Sequence, residues 1–419
     1  MSSPRIVIVG GGFGGLNAAK ALAGESVEVT VVDRRNHHVF QPLLYQVATA
    51  ALSPGDIAAP IRWVLRRQRN ARVLLAEVTS VDVARRVVQL TDGELPYDYV
   101  IIAAGSAHSY FGHDDWQQWA PGLKSLEDAL GIRRRVLLAF ERAEREADPL
   151  AQRRLLTFVI VGGGPTGVEL AGALAEISRH ALAHDFRAIA PETARIILIE
   201  GGPAVLSSYP TPLPAFARRA LERLGVAVWT DSRVTGVEEG RVHVGGETIE
   251  AGTILWAAGV AASPLGRSLG APLDRAGRVL VQPDLTIPGH PEVSVVGDLA
   301  SLAGPSGHPY PGVAQVAIQQ ARHAAMNVLR SIRHEAAQPF VYRNLGDMAT
   351  IGRNSAVCDF GWLRLKGYAA WLMWLFVHIY NLIGFRPRIT VLIQWAFSYF
   401  TYQRSVRLIT HERNAGERP

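Results

Sequence analysis

The sequence predicts an α/β fold in which parallel sheets are covered by helices, built twice over and followed by an aromatic tail. Three observations carry this. A short β-branched run feeds directly into a glycine cluster and a helix at residues 6–9, and the same arrangement returns at 158–161. Each unit then comes back to a further apolar strand that closes on small residues, at 99–105 and 254–259. From residue 368 onward the chain turns strongly apolar and aromatic.

The first unit sets the frame. Residues 6–9 have the composition of a strand buried on both faces. Gly10, Gly12 and Gly15 follow at G-x-G-x-x-G spacing, with Gly11, Phe13 and Gly14 between them. Residues 16–23 read as a helix and 27–32 as a second strand that ends on Asp33, roughly 20 residues beyond the glycines. This is the fingerprint of a Rossmann-like dinucleotide-binding domain. Gly10 allows the tight turn, Gly12 lets a pyrophosphate approach the backbone, and Gly15 lets helix and strand close up. The pyrophosphate sits on the helix N-terminus, where free N–H groups and the helix dipole favour negative charge. Asp33 can accept from a ribose hydroxyl. A glycine-rich structural turn is the bland alternative; strand, helix, second strand and acid in series stand against it.

The chain has 419 residues, enough for two or three domains. Its one cysteine, Cys358, excludes an intrachain disulfide and suits a reducing compartment. The N-terminal apolar run is short and continues into the glycine cluster, so it is not expected to be a signal peptide. Net charge is a modest +6, and several basic residues flank the apolar C-terminus, which favours anionic lipid over nucleic acid. No nucleic-acid module is recognisable.

After Asp33, residues 34–49 read as loop and then the start of a helix beyond Pro42. Disulfide reductases with two dinucleotide units carry a redox cysteine pair in this region. Here there is none, so electrons reaching a flavin must leave to an external acceptor. Residues 73–89 look like hairpin strands, with Val78 and Val81 on alternating positions. Residues 99–105 form a buried strand whose small end, including Ala104 and Gly105, permits close approach of a cofactor. Residues 126–147 make a charged amphipathic helix, expected to be a connector.

The second unit opens at 158–161, and Gly162, Gly164 and Gly167 repeat the fingerprint. Residues 168–177 read as a helix, and 195–199 as a strand ending on Glu200. Glu200 lies 38 residues after Gly162, and residues near 178–193 look like an insertion that lengthens the helix. No arginine directly follows Glu200. A 2′-phosphate would meet an acid there, which favours NADH over NADPH. Two units imply two dinucleotides, commonly FAD in the first and a nicotinamide cofactor in the second. Ala258 and Gly259 give the second unit the same small strand end. Residues 293–296 form a strand that runs into Gly297 and Asp298, and an aspartate there bonds the ribityl or phosphate part of FAD or simply makes a turn. Returning to an FAD element after the nicotinamide unit makes the second domain an insertion in the first.

A helix over 314–331 carries Gln315 and Gln319 four apart, hence on one face. Two neutral amides beside apolar neighbours could bond a quinone carbonyl, or equally serve helix capping and solvation. Residues 368–385 are the strongest apolar run, with Trp371, Trp374, His378 and Asn381 on one helical stripe. A second run follows Arg388, its polar stripe being Thr390, Gln394, Ser398, Thr401 and Ser405. The flanking basic residues Arg364, Lys366, Arg386, Arg388, Arg404 and Arg407, with the aromatics, suit helices lying at a membrane surface. A spanning helix and a buried dimer interface are the other readings.

These residues resemble the type II NADH dehydrogenases, single-subunit, non-pumping NADH:quinone oxidoreductases. The likeness runs over nearly the whole chain and is most specific at 38–46, at 314–320 and in the tail. It implies non-covalent FAD in the first unit, touched by Gly10 to Gly15 including Phe13, Asp33, Arg34, His38, Val78, Ala104, Gly105, Asp298 and Ala314. It implies NADH at Gly162, Gly164, Gly167, Glu200, Ala258 and Gly259, and a membrane quinone, menaquinone or ubiquinone, at Gln315, Ile318 and Gln319. Glu169 is the residue the resemblance implicates in catalysis, holding the nicotinamide amide or relaying a proton. In the first helical turn it could equally be a dipole-stabilising surface acid. The implied domains are FAD-binding at 1–115 and 286–335, NADH-binding at 116–285, and a membrane-anchoring and dimerisation region at 336–419. The implied setting is a homodimer, peripheral on the cytoplasmic face of the inner membrane, with no metal and no nucleic-acid partner. Three rivals are a sulfide:quinone reductase, which a lone Cys358 opposes, a reductase of a ferredoxin-like carrier, and a non-enzymatic redox-reporting flavoprotein.

Overall fold

The computed structural model describes residues 3–409 except 306, 384 and 402–405. It divides into two compact units: Met1–Val39, Ala58–His108 and Val260–Leu345 in the first, and Phe40–Ile57, Ser109–Gly259 and Gly346–Pro419 in the second. In sequence the two units interleave, the second taking residues 40–57, 109–259 and 346–419.

The first unit is built on six strands in the order Thr286–Ile287, His290–Val295, Tyr99–Ile102, Arg5–Val9, Glu28–Asp33 and Ala71–Leu75. All neighbours pair in parallel except the first two. Covered faces on both sides explain the unbroken Val/Ile runs, in which Ile6, Ile8 and Ile101 lose all contact with solvent. Helices Phe13–Ala21 and Ala314–Ile332 pack against one another beside the sheet.

Two expectations shift here. The strand at the start of the expected 73–89 hairpin is Ala71–Leu75, and it joins the main sheet parallel to Glu28–Asp33. The hairpin itself is Val78–Asp82 against Val87–Leu90. A register shift between Val78 and Ser80 lets Val78 and Val81, three apart, pack into one core. Within 34–41, expected as loop, His37–Val39 forms a short strand antiparallel to Ala58–Pro60.

The second unit repeats the plan with four parallel strands in the order Val226–Trp229, Arg195–Ile199, Thr157–Val161 and Thr253–Trp256. Helix Leu126–Arg145 starts at a capping box between Ser125 and Asp128. It is more than a connector: Ile132, Val136 and Phe140 are buried, and Phe140 stacks on Phe158 at 5.4 Å. The second fingerprint helix is Pro165–Glu176, so Glu169 is its fifth residue and lies beyond the first turn. Of residues 178–193 only the first four lengthen it. It closes in one π-helical turn, Ile177–Ala181, and the chain then loops to Pro191–Thr193.

A three-stranded antiparallel sheet, Asp347–Thr350, Ala356–Asp359 and Arg364–Gly367, leads to tail helices Tyr368–Asn381 and Phe385–Thr401. The apolar run 368–385 is thus broken after Asn381. Among the described residues no helix is long and apolar enough to cross a membrane. The middle of the stripe read as polar turns inward: Trp374 and His378 are buried, with Trp371 half-buried and Asn381 exposed, while Tyr368, Leu372, Phe376 and Tyr380, spaced four apart, stand exposed. In the second tail helix Val391 is buried, whereas Ile389, Leu392, Ile393 and Phe397 are exposed. The side chains of Arg386, Ser398 and Thr401, with Arg404 and Ser405, lie outside the described residues.

Candidate functional site

Each fingerprint folds into a cradle, and the two share their turn geometry and their hydrogen bonds. Gly10 and Gly162 adopt φ +100° and +110°, open only to glycine. A Cβ on Gly15 would stand 1.7 Å from the Gly10 carbonyl oxygen, and one on Gly167 1.8 Å from that of Gly162. Gly12 and Gly164 face open space within 4 Å. Both cap their helices with no side-chain hydrogen bond and no acid in the first turn, which leaves the N–H groups free for an anion. Asp33 accepts from the amides of Gly11 at 2.6 Å and Arg35 at 2.7 Å. Glu200 accepts from those of Gly163 at 2.6 Å and Gly202 at 2.7 Å. Despite its longer spacing, Glu200 occupies the same place as Asp33. A dinucleotide fits both cradles by this test.

In the first unit Gly14 packs against Ala103 and Val296, and Gly105 ends its strand at φ +67° with open space beside it. Ala104 is half-buried next to it. His38 is buried and its Nδ1 lies 3.1 Å from the Gly11 carbonyl. Burial pushes its pKa down to about 4, so the ring is neutral, Nδ1–H donates, and Nε2 is a buried acceptor with no protein partner. Phe13 meets that ring edge-on at 4.9 Å. Asp298 follows Gly297 (φ +72°) and accepts from the Ser106 hydroxyl at 2.5 Å. Gly297 donates to Gln320 at 2.8 Å. Arg34 lies out on the surface, 3.8 Å from Glu77, and Val78 sits half-buried at the register shift.

Ala314 opens the amide helix, and Ile318 is half-buried. Both amides, for which a quinone carbonyl or helix capping and solvation stood open, bond instead to the segment at 342–345. Gln315 Oε1 accepts from the Tyr342 hydroxyl at 3.2 Å and the Leu345 amide at 3.1 Å. Gln319 exchanges two bonds with the Arg343 main chain, at 2.9 and 3.0 Å. Both amides do lie on one face; the partner segment at 342–345, which belongs to no helix or strand, carried no sequence signal.

In the second unit, Ala258 and Gly259 stand at the end of strand Thr253–Trp256, half-buried. Gly162 touches Ala257 and Ala258 so closely that a Cβ would lie within 2.6 Å of their backbone. Glu169 accepts from the Thr350 amide, and loss of hydration pushes its pKa up to about 8. Its carboxyl is therefore mostly protonated at neutral pH.

Glu169, Ala173 and Glu176 fall at i, i+4 and i+7, one helix face. The last two reach a cavity of about 350 Å³ within this unit. Its apolar wall comes from both tail helices, chiefly Trp371, Trp374, Leu375, Leu392 and Trp395. Its polar wall is Tyr45, Gln46, Thr49, Glu176, Thr350 and Arg353. Trp395 Nε1 donates to Gln46 Oε1 at 2.7 Å, and Gln46 Nε2 donates to the Tyr45 hydroxyl at 2.8 Å. Glu176 accepts from the Arg353 amide, whose guanidinium lies 4.4 Å over the Tyr399 ring. The sequence reading named the 38–46 segment and the tail tryptophans but did not bring them together. Cys358, the single thiol, is buried, with its pKa pushed up to about 12.

This is the site plan of the pyridine nucleotide-disulphide oxidoreductases, without their thiols. A family model of that description matches residues 4–321, and one for the NDH2 C-terminal domain matches 344–403. The chain is 47% identical to the type II NADH:quinone oxidoreductase NdhA of Mycobacterium tuberculosis, over 97% of this chain and 90% of that protein. It is 46% identical to that organism's type II NADH:quinone oxidoreductase Ndh, over 98% and 91%. The solved structure of NDH2 from Plasmodium falciparum in complex with NADH shares the fold at a TM-score of 0.89 and 21% identity, over 98% of this chain and all of that one. Within that broad class, the chain belongs to the type II NADH:quinone oxidoreductases.

Proposed function

We propose that this chain oxidises NADH and passes the two electrons to a membrane quinone through a flavin, without pumping protons. The carrying observation is the doubled cradle combined with an aromatic cavity and no exposed thiol. The flavin is FAD, held non-covalently, and NADH occupies the second cradle. FAD, when bound, supplies the two-electron chemistry that joins nicotinamide to quinone. The residues do the rest. Gly12 and Gly164 offer helix N-termini to the pyrophosphates; Asp33 and Glu200 exchange part of their loop bonding for ribose hydroxyls. Arg34, Val78, Ala104, Gly105, Asp298 and Ala314 complete the FAD set, and Ala258 and Gly259 the NADH set.

The quinone leaves with two protons while NADH delivers one as hydride, so one proton must come from elsewhere. Glu169 carries such a proton at neutral pH. The cavity takes the apolar quinone on its tryptophan wall and orients it with Gln46 and Thr49. Gln315, Ile318 and Gln319, in the first unit, are the alternative contacts for a quinone carbonyl, a role that requires the amides to release Tyr342, Arg343 and Leu345. The exposed apolar faces of the tail helices hold the protein on the membrane, at the cytoplasmic face, as a homodimer.

Purified protein should be yellow, bleach on anaerobic NADH and recover colour on adding a short-chain quinone. Bleaching without recovery would sink quinone as the acceptor; recovery with ferredoxin instead would favour the carrier-protein reductase.

A further inference from the structure

We infer that Phe111 is the contact for the nicotinamide half of the dinucleotide in the second cradle, a reading that rests on NADH binding there. Phe111 is 68% exposed. Its backbone is held at φ +54°, the left-handed region that a bulky residue adopts only under constraint. The constraint is visible. Tyr110 is buried and stacks on Trp256 at 5.2 Å, while the Ser109 carbonyl accepts from Trp256 Nε1 at 2.8 Å and the Ser109 amide donates to Gly259. The residues before Phe111 are thus clamped to the strand Thr253–Trp256, and the phenyl ring is pushed out beyond the strand end.

The ring has a definite neighbour. A Cβ built on Gly259 would stand 2.7 Å from Phe111 Cζ, so the ring lies directly against the strand-end glycine. Topology says which half of the ligand passes here. Strand Thr157–Val161 lies between Arg195–Ile199 and Thr253–Trp256. With the pyrophosphate on Gly164, the half held by Glu200 lies over the first of these neighbours, which is the adenosine side. The other half must run over the second, where Ala258, Gly259 and Phe111 lie. An exposed phenyl there, carried on a clamped backbone, offers a flat apolar face to the nicotinamide and its ribose.

The test uses the flavin-loaded full chain and two ligands that do not reduce it, NAD⁺ and ADP-ribose, which lacks the nicotinamide. Phe111→Ala should weaken NAD⁺ about tenfold and leave ADP-ribose within about twofold. Phe111→Tyr should restore NAD⁺. Phe111→Gly should lose NAD⁺ affinity likewise yet melt higher than Phe111→Ala, because glycine relieves the left-handed strain. A purely structural residue would not separate the two ligands. Equal weakening of both, or no change in NAD⁺, overturns the inference. Gly164→Val is the control: if it leaves both ligands bound, the cradle assignment itself has failed, and the inference falls with it.

Discussion

Glu169 binds its proton more tightly in the fold than in the unfolded chain, so the folded state is favoured at low pH. That advantage is complete below the unfolded carboxylate range and is lost as pH rises through about 8. Wild type should therefore lose stability relative to Glu169→Gln between about pH 5 and 8, seen in paired melts across pH. If Glu169 donates the proton, wild-type quinone reduction should also fall above about pH 8, and the Gln variant should be slow without that limb. A pH–rate profile unchanged in the variant would remove Glu169 from the mechanism. His38 offers a second test. Its neutral ring donates to the Gly11 carbonyl from a buried position, and His38→Leu strands that carbonyl. The expected cost is about 1–3 kcal/mol, with FAD lost on gel filtration and a lower visible-to-ultraviolet absorbance ratio. At Glu200, replacement by Ala should narrow the preference for NADH over NADPH, because the acid that a 2′-phosphate would meet is gone. Equal kcat/KM ratios in both proteins would contradict this.

The tail helices are the elements on which sequence and structure diverge most usefully. Periodicity found a stripe, Trp371, Trp374, His378 and Asn381, of which Trp374 and His378 are buried and Asn381 exposed, but a polar stripe on an apolar helix has two possible partners. Here the partner is protein: His378 bonds the Trp374 carbonyl at 2.7 Å, and Trp374 packs against Trp395 at 5.4 Å. Replacing Leu372, Phe376 and Tyr380 by Ser should abolish sedimentation with phosphatidylglycerol vesicles, leaving turnover with a water-soluble quinone within about twofold. Unchanged sedimentation would mean another surface meets lipid. The fingerprint strands were legible because local chemistry dictates them: no other residue than glycine fits where Gly15 and Gly167 meet a carbonyl. The bonds of Gln315 and Gln319 were not, because their partners at 342–345 are more than twenty residues away. Nor was the cavity, which needs Gln46 and Trp395, 349 positions apart, to touch.

At the scale of the whole molecule, one design is used twice and then differentiated. Parallel strands, a glycine turn, a helix N-terminus and an acid at the next strand end recur with hydrogen bonds matching to within 0.1 Å. What separates the units is what surrounds the cradle: a neutral histidine and Asp298 in the first, Phe111, Glu169 and the aromatic cavity in the second. The single thiol plays no part in either. Alkylation of native protein with iodoacetamide should spare Cys358 and activity alike, because burial holds the thiol protonated.

The row Tyr368, Leu372, Phe376 and Tyr380 has a practical corollary. A face like that in plain buffer is a standing invitation to self-adhesion, because nothing else in solution relieves it of water. Handling of this polypeptide should hinge on surfactant: monodisperse above the critical micelle concentration, and turbid on dilution below it.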